Sequence, residues 1–257
     1  MVLWLMYKVL KLCFKIYHYI QVVILRVIAR FFSNDIDLSQ FNKVLIISPH
    51  PDDEVFGCGA LINSLIRMNK QVDLIILSKG EDVHRHCCPG EEDDVVQTRV
   101  RLAAAANNVL GMSSTNICCL DFPDGDFASV KERSDLIAVL KKHIEEIDPI
   151  EVFIPHPYEN SPDHVAATEI VEEVLRETSI SIYYYCVWVW YHMPIFKILK
   201  LKYRNACLLR VNRKIKNSAI NMYIDNSAKC GVSYSGDLPK PFIYAFRWGY
   251  ELFFKRK

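Results

Sequence analysis

Ser48-Pro49-His50-Pro51-Asp52-Asp53-Glu54 places one imidazole and three carboxylates within seven residues, directly after an apolar run. His50 and Asp53 stand three apart, so at the start of a helix their side chains can converge on one ion. Asp52 then points elsewhere and is free to act on a water. Pro51 holds the turn and suits an early helical position. Helix capping by Asp52 or Asp53 accounts for one carboxylate, not for two with a histidine. A second polar cluster, Pro155-His156-Pro157-Tyr158-Glu159-Asn160-Ser161-Pro162-Asp163-His164, also follows an apolar run. His164 can complete a two-His, one-carboxylate set with His50 and Asp53, which zinc accepts while keeping a position open. Such an ion lowers the pKa of water to about 7 and polarises a carbonyl. A carboxylate off the metal takes the proton, and an acid serves the leaving amine. These are the parts of amide hydrolysis.

Alternating strands and helices would position both clusters. Short apolar runs at 44–48, 72–78, 117–120 and 152–155 predict buried strands. Helical spacing at 54–68, 93–110, 130–147 and 163–177 predicts the elements between and after them. Gly111 stops the second of these helices and Pro149 follows the third. The alternation predicts an α/β fold, a Rossmann-like, doubly wound and mostly parallel sheet with helices on both faces. Both polar clusters then lie at the carboxyl edge of the sheet, where such folds bind ligands. Beyond residue 180 the pattern predicts strands at 181–190 and 206–211, a helix at 212–229, and an aromatic, basic tail.

The chain has 257 residues, with 31 Lys+Arg against 30 Asp+Glu and a net charge of +1. That balance excludes a protein whose main partner is a nucleic-acid backbone. With 51% hydrophobic and 24% charged residues the chain is globular rather than disordered. Its nine cysteines are an odd count and include the adjacent pairs Cys87-Cys88 and Cys118-Cys119. Adjacent cysteines make poor disulfides, which points to free thiols and a reducing compartment.

The average hides a lopsided first segment. Residues 1–33 carry Lys8, Lys11, Lys15, Arg26 and Arg30 and no acid, leaving 26 basic against 30 acidic residues elsewhere, a net of −4. Lys8, Lys11, Lys15 and His18 follow steps of three and four and share one helical face. The longest uncharged run, 16–25, has ten residues, short of the roughly 18 a spanning helix calls for. A small-residue cleavage site is missing, which argues against a secretory signal. The reading is a basic amphipathic helix over 1–35 lying in a membrane interface, with Trp4 and the tyrosines at headgroup depth. The alternatives are a helix packed on the domain or a partner chain, its lysine stems covering apolar surface, and a snorkelled or tilted span. Ser33-Asn34-Asp35 marks a linker, and the domain proper occupies 36–257.

Pro49-His50-Pro51-Asp52-Asp53-Glu54, followed by Gly57-Cys58-Gly59, resembles the signature of the PIG-L/LmbE-like deacetylases. Ser161-Pro162-Asp163-His164 resembles their second motif. Arg99 with the alanines after it and Leu110-Gly111 resembles the family's Arg-led helix, and Phe122-Pro123-Asp124-Gly125 its Pro-Asp-Gly turn. The resemblance runs from about residue 43 to the end, most weakly after 180, and does not cover 1–35. It implies a metal-dependent N-deacetylase, usually zinc (Zn2+) though another divalent ion can serve, acting on N-acetylglucosamine units attached to a lipid, thiol precursor or glycan. It puts His50, Asp53 and His164 on the metal and makes Asp52 the general base, which returns its proton to the departing amine. It places Arg99 and Asp124 at sugar-contacting positions. Ser161 stands where some members carry a histidine that helps the oxyanion, and His156 and Tyr158 are the substitutes at hand. Lys79-Gly80-Glu81 and Leu102 also depart from the usual pattern.

With a membrane-bound first segment, the expected setting is the cytoplasmic face of a membrane and a lipid-linked or membrane-delivered glycan. The competing expectations are an amidase on a non-sugar amide and a catalytically idle glycan-binding or scaffold protein. The idle reading calls for a lost ligand or base, and His50, Asp52, Asp53 and His164 are all present. His84, His86, Cys87 and Cys88 have the donors of a second metal site, but no matching Cys/His pair at finger spacing follows, so a mobile substrate loop is expected. His192 is expected half-buried beside Trp188, Trp190 and Tyr191 in a core strand, and Cys58 in packing. Lys255-Arg256-Lys257 reads as a solvated end that can also join the first segment on an anionic membrane.

Overall fold

The computed structural model describes residues 2–256. The chain opens with α1 (Val2–Phe32) and a two-residue strand β1 (Asn34–Asp35). Four strand-to-helix units follow: β2 (Lys43–Ser48) feeds α2 (Asp53–Arg67), β3 (Gln71–Ile76) feeds α3 (Glu92–Val109), β4 (Ile117–Cys119) feeds α4 (Val130–Ile147), and β5 (Glu151–Pro155) feeds α5 (Pro162–Val174). Then come β6 (Ser181–Tyr185), the short α6 (Val189–His192) and α7 (Ile195–Ile198), β7 (Ala206–Arg210), α8 (Arg213–Ile224), α9 (Lys240–Phe246) and β8 (Tyr250–Lys255). One sheet runs β1-β7-β8-β6-β5-β2-β3-β4. Its pairs are parallel except those of β8, which lies antiparallel between β6 and β7. The fold is the expected mostly parallel α/β sheet.

β2 is an interior strand, with Ile46 paired to Leu74 of β3 on one side and Phe153 of β5 on the other. Val44 to Ile47 are all fully buried. A parallel strand covered on both faces needs apolar residues at consecutive positions, which is why VLII reads as a run rather than an alternation. The strands β2 and β5 therefore deliver residues 49–53 and 156–164 side by side at one edge.

The second half departs from the sequence pattern. The strand expected over 181–190 ends at Tyr185, where β6 loses its last β5 partner, Pro155. The Glu159 carboxylate accepts the Val187 (2.7 Å) and Trp188 backbone N–H groups and turns the chain into α6. Tertiary hydrogen bonds here override the β preference of Trp and Tyr. Trp188, Trp190 and His192 thus belong to a turn and short helix, not to a core strand. The helix expected over 212–229 stops at Ile224. The aromatic part of the tail is buried, with Leu252, Phe253 and Phe254 in β8, while Lys255 is exposed at its end. Lys257, like Met1, lies outside the described residues.

A buried ion pair ties this tail to the site-bearing helix. Lys216 Nζ of α8 donates to Glu251 Oε1 of β8 and to the Phe56 carbonyl (2.7 Å). Glu251 also accepts the Ala60 (2.6 Å) and Leu61 (2.9 Å) N–H groups of α2.

α1 is half docked and half free. His18, Gln21, Val22, Leu25 and Ala29 are buried at helical spacing, and α1 rests on α6, α9 and β7. Gln21 Nε2 donates to the Tyr191 carbonyl (2.9 Å), and Arg26 Nη2 to those of Ala245 (3.1 Å) and Tyr244. Residues 4–17 are exposed all round, among them Trp4, Leu5, Leu10, Leu12 and Phe14. By length and composition α1 can cross a membrane.

Removing one partner of a buried, hydrogen-bonded pair leaves an uncompensated charge and costs about 3–5 kcal/mol. Glu251→Ala should lower the unfolding free energy by that much in urea denaturation. The Lys216→Met/Glu251→Leu double variant should lose distinctly less.

Candidate functional site

The turn after β2 is held in an unusual conformation. Asp52 has φ 114°, ψ −31°, a region that non-glycine residues occupy at a cost of roughly 1–3 kcal/mol. Its backbone N–H donates to Glu54 Oε2 (2.9 Å). Glu54 Oε1 accepts from Asn107 Nδ2 of α3 (2.9 Å) and from the Tyr223 hydroxyl of α8 (2.9 Å). Arg99 of α3 donates from Nη2 to the Pro51 carbonyl (2.6 Å) and from Nη1 to that of Tyr234. Its guanidinium packs under Gly80 (φ +70°), where a Cβ would fall 2.4 Å from Nε. The glycine of Lys79-Gly80-Glu81 is therefore required both by its backbone and by the space Arg99 fills.

His50, Asp53 and His164 meet as their spacing and strand order imply. Asp53 Oδ2 lies 3.2 Å from His50 Nδ1 and 3.1 Å from His164 Nε2, and one donor atom from each residue falls within 4.8 Å of the others. The far nitrogen of each imidazole faces carboxylates. His50 Nε2 is 2.9 Å from Asp124 Oδ1 and 3.3 Å from Asp163 Oδ2, and His164 Nδ1 is 3.5 Å from Glu159 Oε2. Metal-binding histidines are held in this way, the outer carboxylate fixing the ring and raising its basicity. His50, Asp124 and Asp163 also form a second cation-competent set, but it uses the nitrogen that in the first set orients the ring.

The local field favours a cation. Burial lowers the proton affinity of His50, yet Asp124, Asp163 and Asp53 outweigh it and raise the imidazole well above its ordinary range. His164, lowered by burial but raised more by Asp53 and Glu159, is pushed up to about 9. Burial raises Asp53, and the two histidines more than reverse it, keeping the carboxyl ionised. Asp52 behaves differently. Burial pushes it up to about 7 against the pull of Arg99, whose Nη2 stands 3.8 Å from its Oδ2. A carboxylate tuned near neutrality can both take and return a proton. A hard-to-borderline oxygen and two imidazoles, each buttressed from behind, fit a divalent ion.

These groups line a cavity of about 270 Å³. Asp82 and Val83 form one side with Ser235 and Leu238, while Trp188 and Phe242, 4.4 Å between ring centroids, form an apolar wall. Arg99, Asp124 and Ser161 also reach it. Arg99 donates to two backbone carbonyls, and Asp124 meets His50 and the Asp82 N–H (3.1 Å), so both help hold the site in shape while lining the cavity.

His156 and Tyr158 do not reach the cavity. The His156 N–H extends the β5 ladder to the Tyr185 carbonyl (2.8 Å), and its ring packs on Tyr184 and Phe254. Tyr158 is 61% exposed. Both line a separate cavity with Lys200 and Arg256. Sequence reasoning missed Asp163 and Glu159, although both lie inside the second cluster, where a carboxylate beside a histidine was the available signal. Asn107 and Tyr223 carried no local signal, being 53 and 169 residues from Glu54.

Residues 45–175 match the family model PIG-L: GlcNAc-PI de-N-acetylase. The chain is 30% identical over 132 residues to the diacetylchitobiose deacetylase of Thermococcus kodakarensis, covering 48% of this chain and 45% of that protein. It is 29% identical over 135 residues to a probable N-acetyl-alpha-D-glucosaminyl L-malate deacetylase 2 of Bacillus anthracis, covering 51% of this chain and 58% of that one. It thus spans about half the length of the curated relatives it matches. The fold superposes on the N,N'-diacetylchitobiose deacetylase of Pyrococcus horikoshii with TM-score 0.56 and 21% identity, covering 80% and 74% of the two chains.

Asp163 anchors both His50 and the Gly125 N–H (2.6 Å). Loss of such an outer carboxylate typically weakens metal binding about 10–100-fold. Asp163→Asn should show that loss in zinc titration calorimetry while circular dichroism stays unchanged.

Proposed function

The chain belongs to the PIG-L, GlcNAc-PI de-N-acetylase family, and from that premise we propose that it hydrolyses the N-acetyl amide of an N-acetylglucosamine-type sugar. The observation that carries the reading is the convergence of His50, Asp53 and His164 beside an Asp52 left free within one cavity. The names of the matched relatives support the substrate class.

His50, Asp53 and His164 would hold the ion, and zinc suits this donor set. Bound there, it would act as a Lewis acid on water and on the acyl oxygen. The remaining work falls to the chain's own side chains. Asp52 accepts the proton of the attacking water as the new C–O bond forms. Its carboxyl then delivers that proton to the sugar nitrogen as the C–N bond breaks, so acetate and a free amine leave. Arg99 keeps Asp52 from rising further in pKa and holds the Pro51 carbonyl, which sets where the carboxylate points. Trp188 and Phe242 provide an apolar wall that limits water around the reacting amide. The cavity falls near the small end of ligand pockets, which suits enclosing the reacting sugar while the rest of the conjugate stays outside.

The proposed setting is the cytoplasmic face of an anionic membrane, with α1 as the contact. The exposed residues 4–17 carry Lys8, Lys11 and Lys15 among apolar side chains. Lys8 Nζ lies 3.8 Å over the Trp4 ring, an aromatic–cation pair suited to headgroup depth. A lipid-linked or membrane-delivered glycan follows from that placement.

Asp52→Asn should cut acetate release from N-acetylglucosamine conjugates by about 10²–10⁴-fold with zinc content unchanged. Undiminished release would remove Asp52 as the base. Turnover of plain aryl amides but no sugar in the same panel would convert the reading to a non-sugar amidase. Full-length protein should co-sediment with phosphatidylserine vesicles. Reversing Lys8, Lys11 and Lys15 to Glu should release it, each lysine contributing about 1 kcal/mol near the surface. Equal partitioning of both proteins into the supernatant would rule out the membrane contact.

A further inference from the structure

A second cluster of soft donors lies beside the cavity, unused by the chemistry above. The turn Glu81–His84 and the residues after it fold so that the Cys87 and Cys88 N–H groups both donate to the His84 carbonyl (3.0 and 2.8 Å). This brings the His84, Cys87 and Cys88 side chains together. The fourth donor comes from far along the chain. Residues 226–236 double back through the Ser227–Ser233 bridge, with the Ala228 N–H on the Val232 carbonyl (2.9 Å). Cys230 sits at the tip, 143 residues from Cys87.

His84 Nδ1 is 3.2 Å from Cys87 Sγ and 3.8 Å from Cys230 Sγ. Cys87 Sγ is 4.0 Å from Cys88 Sγ and 2.7 Å from Cys230 Sγ. One donor atom from each of the four residues lies within 4.8 Å of the others. Around a tetrahedral zinc, with Zn–S near 2.3 Å and Zn–N near 2.0 Å, donor atoms stand about 3.4–3.8 Å apart. Three of the four quoted separations fall within half an ångström of that range, and the Cys87–Cys230 pair needs to open by about 1 Å. His84 and Cys88 are buried, and Cys87 and Cys230 reach the surface, so an ion has both an inner wall and an entry.

We propose that His84, Cys87, Cys88 and Cys230 form a second metal site, a closed Cys3His zinc centre that pins together the two loops of one cavity wall. Thiolate donors select a thiophilic ion such as zinc. Four protein ligands leave no open position, so the centre is structural. Each thiol releases its proton on binding. The sequence offered His84, His86, Cys87 and Cys88 with no matching pair at finger spacing, and the cluster read as a mobile substrate loop; chain folding brings Cys230 to His84, Cys87 and Cys88.

The position gives the centre a consequence. Asp82 and Val83 precede His84 and line the cavity, while Ser235 lines it from the other loop. The Tyr234 carbonyl accepts from Arg99, and the Asp82 N–H donates to Asp124, which contacts His50. Both loops therefore reach the catalytic turn through a short chain of hydrogen bonds. A neighbouring ion pair, Lys229 Nζ to Glu91 Oε1 (2.7 Å), already crosses between the two segments.

The centre stands independently of the deacetylase reading. The test is metal content in full-length protein purified under a thiol reductant, with wild type, Cys230→Ser and His164→Ala compared. Wild type should hold two equivalents of zinc, and each variant one. Cobalt-substituted protein should show a thiolate-to-cobalt charge-transfer band in the near ultraviolet that Cys230→Ser loses and His164→Ala keeps. If Cys230→Ser fails to fold, His164→Ala retaining one equivalent with that band carries the proposal by itself. No thiolate band in either wild type or His164→Ala overturns it. So does a mass two hydrogens light that maps to a Cys87–Cys230 disulfide in the reduced preparation.

Discussion

The acceptor on which the catalytic turn hangs is the buried Glu54 carboxylate. One of its oxygens takes the Asp52 N–H and the other takes Asn107 and Tyr223. A left-handed backbone at a non-glycine residue persists only when its surroundings over-determine it. Here α3 and α8 do so by each supplying a donor to the same carboxylate. Asp52 and Asp53, adjacent in sequence, thereby face different tasks: one carboxylate joins the histidines and the other is left over Arg99. The chain folds α8 back across α2 to make this contact, and the Lys216–Glu251 pair secures the same packing from the other side.

Charge is distributed to the same end. Asp53, Asp124 and Asp163 crowd His50, and Glu159 stands behind His164. Such an excess of buried carboxylate calls for positive charge between the imidazoles, which protons or a metal ion can supply. Asp52 is held apart from that demand because Arg99 sits on its side of the turn. The arrangement separates a cation-binding pole from a proton-transfer pole within one small cavity. Glu159 has a second duty, since its carboxylate also bends the chain after β6 and thereby brings Trp188 to the cavity wall.

The first helix shows how far pattern reading reaches. The packed alternative drawn from its residues holds in part of it: His18 to Ala29 dock against the domain, while residues 4–17 are exposed. The spacing of Lys8, Lys11, Lys15 and His18 on one face did not reveal this, because His18 turns inward against Tyr191, 4.0 Å between ring centroids. Which part of an amphipathic helix is covered depends on where the partner surface ends, and that surface is built by α6, α9 and β7 from the far end of the chain.

Local order in the sequence determined the central sheet and the motif-bearing turns. Apolar runs of strand length, one followed at once by Pro-His-Pro-Asp-Asp and the other six positions on by Ser-Pro-Asp-His, state their element and their edge because each signal is local. After residue 180 the same logic located β7, the start of β6 and most of α8 but not the turn, the two short helices and the antiparallel strand, where aromatic residues follow no distinct period. Only the tertiary structure decided that Arg99 and Asp124 are tied into the scaffold, that His156 faces another cavity, and that Cys230 arrives beside Cys87. Those outcomes rest on contacts between residues tens to more than a hundred positions apart. Such contacts are selected by packing and by the need to satisfy buried polar groups, and neither leaves a mark in local spacing.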